Sequence, residues 1–200
     1  MPVQFPPDLI ASVSGFRGRV GAPLTPELIA ALASGFGAWL AQSDPAPIVV
    51  VGRDSRTSGP VFYRAAVAGL LSVGCRVIEL GVVPTPTIMM AVRHHGASGG
   101  IGVTASHNPA EWNALKLASG EGMVIDVGGS LAFREFVTSA EFARAPWARI
   151  LTVEQDDEAI ARPPDAIHAQ PLLDLEAIRH RRFTVALDCG HGAGGRLVPR

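Results

Sequence analysis

The sequence predicts an α/β domain built on a largely parallel central sheet. Three observations lead there: short apolar runs that end in or near glycine, helical stretches with proline near their first turn, and short connections between them in regular alternation. An apolar fraction of 48% against 18% charged is enough for a sizeable core, and 200 residues hold one large domain or one domain and part of another.

The elements follow in order. TPELIAALASGFGAWLAQ (25–42) opens with Thr25 as N-cap, Pro26 at the first helical position and Glu27 in the first turn. Leu28, Leu32, Phe36 and Leu40 then recur at helical spacing. PIVVVG (47–52) is a β-branched run of the kind that fills a buried strand. GPVFYRAAVAGLLSVG (59–74) repeats the helix signature between Pro60 and Gly74. CRVIELG (75–81) reads as a strand, TPTIMMAVRHHG (85–96) as a helix, and GGIGVTA (99–105) as a third strand. NALKLAS (113–119) reads as a further strand and 128–143 as a helix. Residues 144–168, with three prolines and the acidic run EQDDE, read as a solvated connector. PLLDLEAIRHRR (171–182) suits a helix, and FTVALDCGHGAGG (183–195) a strand entering a glycine-rich turn with no partners of its own. The expected organisation is a first domain at 1–145, a linker at 146–170 and the beginning of a second domain at 171–200.

The formal net charge is −1 and the basic residues are spread along the chain, so no basic face points to nucleic acid. No apolar run is long enough to span a bilayer, and MPVQFPPDLI lacks the basic and apolar regions of a signal peptide. Cys75 and Cys189 lie far apart without metal or redox spacing and are expected as two buried thiols in a reducing compartment. A cytoplasmic protein with a small-molecule partner is the expectation.

Ligands of open α/β sheets bind at the carboxyl ends of strands. Four segments fall there or lead into the first helix: SVSGFRGRVG (12–21), GRDSRTSG (52–59), GVVPTPT (81–87) and TASHNPAEWN (104–113). Ser106 follows a strand in a loop closed by Pro109. Two readings stand for it, a displayed functional hydroxyl or a turn residue satisfying backbone groups. The GxSxG elbow of acyl-transfer hydrolases is missing from this segment. Of 17 basic residues, Lys116 is the single lysine. Arginine keeps its proton at usable pH, whereas a desolvated lysine can lose it, so Lys116 is a proton-transfer candidate beside the alternative of a surface charge. Arg17 and Arg19 sit among glycines, where planar donors suit a phosphate. Arg53, Asp54 and Arg56 read as an internal network bracing neighbouring loops. His107 either orients a phosphate or holds its loop, and His94 and His95 lack partners at metal spacing. Asp156, Asp157 and Glu158 read as solvated acids. GHGAGG fits GxGxxG, which keeps a dinucleotide-binding oxidoreductase among the alternatives.

TASHNPAEWNALK resembles the phosphoserine loop of the α-D-phosphohexomutases, the family of phosphoglucomutases, phosphomannomutases and phosphoglucosamine mutases. SVSGFRGRVG resembles that family's N-terminal arginine loop, VVGRDSRTSG and GVVPTPT match two further segments in order, and VALDCGHGAGG resembles the start of its second domain. The resemblance implies a three-layer α/β/α domain with a mixed, largely parallel sheet, plus the beginning of a second α/β domain. It implies an intramolecular phosphotransferase that interconverts hexose 6-phosphate and hexose 1-phosphate. Ser106 would carry the phosphoryl group, Lys116 would be the general acid/base, and Arg17 and His107 would surround the phosphate with Ser106 and Lys116. Arg53, Asp54 and Asn108 would support the loop. Mg²⁺ would be held by Ser106 through its phosphate, completed by aspartates this chain does not contain, and a sugar bisphosphate would act as activator. Position 114 departs from the family wording, alanine standing for glycine. The family's metal, sugar-reading and C-terminal phosphate loops have no counterpart up to Arg200, so these residues alone are expected to be inactive. The alternative of a different class is a non-catalytic domain that binds sugar phosphate or a partner.

Overall fold

The computed structural model describes residues 2–198. Its centre is a seven-stranded sheet in the order β1-β2-β6-β5-β3-β4-β7. The strands are β1 (Ile10–Ser12), β2 (Gly15–Arg19), β3 (Ile48–Arg53), β4 (Arg76–Val82), β5 (Gly99–Val103), β6 (Trp112–Ser119) and β7 (Glu154–Gln155). β5, β3, β4 and β7 pair in parallel, while β1, β2, β6 and β5 pair antiparallel, so the sheet is mixed and half its pairings are parallel. β3 and β5 are buried on both faces, which is why IVVVG and GGIGV carry no polar alternation.

Among the described residues the helices are α1 (Pro26–Leu40), α2 (Gly59–Leu71), α3 (Thr85–His94), α4 (Val127–Ser139), α5 (Arg162–His168) and α6 (Leu175–His180), the last of which buries no residue. Thr25 caps α1 as expected, its hydroxyl accepting from the Leu28 N–H at 3.3 Å. Phe16, Val49, Val51, Ile101, Val103, Leu115 and Leu117 pack with α1, α2 and α4 on one face. Phe16, Phe36, Trp39 and Phe133 form a chain of aromatic contacts there, mostly edge-on, which add about 0.5–1.5 kcal/mol per pair beyond burial. Val50, Ile78, Leu80, Ala118 and the α3 residues Ile88, Ala91 and Val92 build the core of the other face. Helices thus cover both faces, in three α/β/α layers.

Four local expectations need correction. The arginine segment 12–21 is largely a β-hairpin rather than a loop. Gly15 turns the chain at φ +105, and a Cβ there would lie 2.2 Å from the Leu115 carbonyl oxygen. Such glycines disguise a strand as a loop in sequence.

The connector is not uniformly solvated either. Glu154 and Gln155 extend the sheet beside β4, and Arg76 grips Glu154 through two nitrogens. Asp156 is only 9% exposed, and its own N–H donates to the Glu79 carbonyl at 2.9 Å. It accepts from Arg162 Nη1 (2.6 Å) and Nη2 (3.0 Å) and from His95 Nε2 (2.7 Å). Ala159 and Ile160 are buried against the α3 face. A carboxylate enters an interior when its partners come with it.

The run 183–189 forms no strand among the described residues, because no neighbouring strand offers it a ladder; Phe183, Val185 and Leu187 stay exposed. The expected final segment 171–200 includes Pro199 and Arg200, which lie outside the described residues. Both cysteines are free thiols, and Cys75 is buried as expected, its thiol pushed up to about 12 by burial and the Asp44 charge. Cys189 is only partly buried. Among the described residues no helix is long and apolar enough to cross a membrane.

Candidate active site

The parallel strands β3, β4 and β5 end at one edge of the sheet, where the antiparallel β6 begins and β2 ends. The loops are stitched there by backbone bonds: Asp54 N–H to the Val103 carbonyl, Val83 N–H to Arg53, and Thr104 N–H to Ala114, each 3.0–3.1 Å. The four segments singled out in sequence therefore meet at one edge.

Ser106 stands just beyond β5 and is exposed, while Thr104 and Ala105 before it are buried. Its φ of 55 is left-handed, an uncommon state for a non-glycine residue. Its N–H donates to Thr104 Oγ1 at 3.2 Å, and its own Oγ lies 3.4 Å from His107 Nδ1. Arg56 reaches the same loop from the end of β3, with donors on the carbonyls of Ser106 (3.0 Å), Asn108 (2.6 Å), Pro109 (2.7 Å) and Trp112 (3.2 Å). Its Nε donates to Asp54 Oδ2 at 3.1 Å. Arg53 turns back on the Asp54 carbonyl at 3.0 Å.

Arg17 lies opposite Ala114 in the β2–β6 ladder. Side chains two apart on a strand share a face, so Arg17 and Lys116 are diagonal neighbours. Arg17 Nη1 donates to Asn108 Oδ1 at 2.9 Å, while its buried Nε has no partner among the described residues. Half-burial pushes the Lys116 pKa below its ordinary value, the Arg17 charge lowers it further, and Asp54 opposes both. A lysine so placed gives up its proton more readily than one in water. Arg19, two register positions further along β2, lies over the ring of its partner Trp112, its guanidinium carbon 6.0 Å from the centroid. Ala114 is buried in regular strand conformation and outside the left-handed region, so an alanine fits the backbone at that departure from the family wording.

Ser106, His107, Asn108, Arg17, Arg53, Asp54 and Lys116 thus share one edge of the sheet. Reading the sequence overlooked three polar residues there. Thr104 holds the Ser106 N–H, and Asn113 donates from a fully buried position to Ser58 Oγ at 2.9 Å, tying β6 to the start of α2. The signal for Asn113 was present: a polar amide on the apolar face of NALKLAS. GHGAGG runs through a turn into a 3-10 segment at Ala193–Arg196, without the strand and helix a dinucleotide fingerprint needs. A hollow of about 860 Å³ lies elsewhere, between the N-terminal segment and α1, and none of its lining residues belongs to the four segments.

Comparison with known proteins converges on one family. The family model for phosphoglucomutase/phosphomannomutase, alpha/beta/alpha domain I, matches residues 9–142. A phosphoglucomutase/phosphomannomutase of Thermococcus kodakarensis is 40% identical over 187 residues, covering 92% of this chain and 40% of that protein. A probable phosphoglucosamine mutase of Methanosarcina barkeri is 37% identical over 186 residues, covering 93% of this chain and 39% of its own. A crystal structure of a candidate phosphomannomutase from Thermus thermophilus shares 33% identity at a TM-score of 0.71, over 88% of this chain and 38% of that one. The chain spans about two fifths of the length of the curated relatives it matches.

Proposed function

The chain belongs to the phosphoglucomutase/phosphomannomutase family, and from that premise we propose that it serves a phosphohexomutase as the domain that carries the transferable phosphoryl group on Ser106. The observation behind this reading is the exposed, left-handed Ser106 at the carboxyl end of β5, on the same edge as Arg17 and Lys116.

In the proposed reaction the phosphorylated Ser106 gives its phosphoryl group to a hydroxyl of a hexose phosphate. The bond from phosphorus to Ser106 Oγ breaks as the bond to the sugar oxygen forms. Lys116, whose burial favours the neutral amine, takes the hydroxyl proton, and a proton returns to Oγ. The bisphosphate reorients, and Ser106 Oγ accepts a phosphoryl group from the other end, leaving the isomeric monophosphate. Transfer of this kind rests on positioning and on spreading negative charge. Arg17 supplies donors and charge, and His107 Nδ1 beside Oγ supplies another polar contact. A sugar bisphosphate from solution would load Ser106 for the first turnover.

Among the described residues no cluster of three His, Cys, Asp or Glu could hold a metal ion. These residues therefore do not make a magnesium site of their own. Once phosphorylated, Ser106 would offer Mg²⁺ a phosphate oxygen, carboxylates from outside this chain would complete its ligands, and the ion would help neutralise charge on the transferring group. Because the chain spans about two fifths of its relatives, we propose that the 200 residues alone are inactive and work as part of a longer enzyme, and we propose the cytoplasm as its compartment. The amino-sugar names among the relatives favour hexosamine phosphates as one substrate class.

The test is to incubate the protein on its complete native chain with a radiolabelled hexose bisphosphate and locate the label by mass spectrometry. Label on Ser106, lost together with mutase turnover in Ser106→Ala, is the expected result. Full turnover in Ser106→Ala would sink the reading.

A further inference from the structure

Ser106 occupies its left-handed backbone state without the freedom of glycine, and such a state persists only where the surroundings over-determine it. Both of its backbone groups are held, the N–H by Thr104 Oγ1 and the carbonyl by Arg56 Nη2. A guanidinium has five N–H bonds. In Arg56 all five have an acceptor: Nη2 serves Ser106 and Asn108, Nη1 serves Pro109 and Trp112, and Nε serves Asp54. One planar fork thus reaches carbonyls along the whole turn, from Ser106 to Trp112, and ties them to the end of β3. Asn108, fixed in this way through its carbonyl, presents its side-chain oxygen to Arg17 at 2.9 Å.

We propose that Arg56 is a positioning residue for phosphoryl transfer, acting through Ser106 on one side and through Asn108 on Arg17 on the other; this rests on the phosphoserine reading above. With no N–H left over, Arg56 touches neither substrate nor phosphoryl group. Its work is to set the direction of Ser106 Oγ and the place of the Arg17 guanidinium at the same time. An ammonium concentrates its donors at one point and cannot span the four carbonyls, so lysine is no substitute.

The test uses the protein on its complete native chain, with hexose phosphate turnover as the readout. Arg56→Ala should lower kcat about 100-fold, the scale at which a displaced reacting group slows catalysis, while KM changes less than about threefold. Added guanidinium ion should restore part of the lost kcat, and Arg56→Lys should stay within about tenfold of Arg56→Ala. Such a split and chemical rescue would not follow from a loss of stability alone. A wild-type kcat in Arg56→Ala, or a raised KM with kcat intact, overturns the proposal. Ser106→Ala is assayed alongside. If it is inactive while Arg56→Ala turns over normally, only the positioning role falls; if it turns over normally, the phosphoserine reading falls and this proposal with it. Should the Arg56 variants fail to fold, Thr104→Val removes the other anchor of Ser106. A kcat about tenfold lower at unchanged KM then supports the proposal, and a wild-type kcat overturns it.

Discussion

Asp156→Asn isolates the charge that locks the connector to the sheet. In the fold, burial disfavours the Asp156 carboxylate, but hydrogen bonds from Arg162 and His95 and their charges outweigh it and hold the pKa at about 2, against 3.8 for the free side chain. Each tenfold change in proton affinity corresponds to about 1.36 kcal/mol, so the drop is worth about 2 kcal/mol. The folded pKa is depressed, so the contribution is complete above the unfolded value and is lost as pH falls through the folded one. Urea denaturation of both proteins at pH 7, 3 and 2 reads it out. The variant should be less stable by about 2 kcal/mol at pH 7, by about half that at pH 3, and by under about 0.5 kcal/mol at pH 2. Other carboxylates titrate in the same range, and the difference between the two proteins cancels them. A gap that stays constant from pH 7 to pH 2 would refute the reasoning, since packing alone would then account for it.

Gly69→Ala tests the contact between α1 and α2, because the new Cβ would lie 2.4 Å from the Ala30 carbonyl oxygen, a backbone atom that cannot rotate aside. We expect a loss of about 1–3 kcal/mol in urea, and unchanged stability would show that the helices separate freely. Gly15→Ala meets the Leu115 carbonyl oxygen at 2.2 Å in a left-handed backbone. It should open the β1–β2 hairpin, visible as fast amide exchange at Phe16 and Arg17 while β3 stays protected. Lys116→Arg keeps the positive charge and removes the titration. On the complete native chain, the proposed base role of Lys116 makes mutase turnover rise with pH toward its lowered pKa; in the variant this rise should vanish and kcat fall by about 10² or more. The same shift carries a stability sign: below its folded pKa the ionised Lys116 costs the fold stability, and the cost fades as pH climbs toward 10.5. Lys116→Met should therefore raise the urea midpoint at pH 7, and a lowered midpoint would contradict its half-buried setting.

The sequence was most legible where one signal acted alone. Thr25, Pro26 and Glu27 mark the start of α1, and the β-branched run before Gly52 marks a strand buried on both faces. Legibility failed where a long-range partner decides the structure. The fate of Asp156 depends on His95, 61 residues away, so EQDDE read locally is only an acidic run. The β1–β2 hairpin failed for another reason: its strands are short and glycine-rich, and pairing with β6 rather than propensity makes them strands. The alternation in FTVALDC does suit a strand, yet the ladder needs a neighbour. At the candidate site the residue types were readable, but the convergence of Arg56 on four carbonyls was not, because backbone acceptors leave no trace in side-chain identity.

β5 and β6 form one antiparallel hairpin, with Gly102 opposite Lys116 and Val103 opposite Leu115. Ser106 lies in the loop of that hairpin and Lys116 on its returning arm. Mechanically, the proposed phosphoryl carrier and proton carrier ride on one part, its arms held by ladder bonds and its loop by Arg56 and Thr104, with no docking of separate bodies between them. In the proposed reaction, a part that closed over the sugar would swing against this hairpin without detuning it. The tolerance that the proposed reorienting intermediate demands would then fall to the surfaces facing the hairpin.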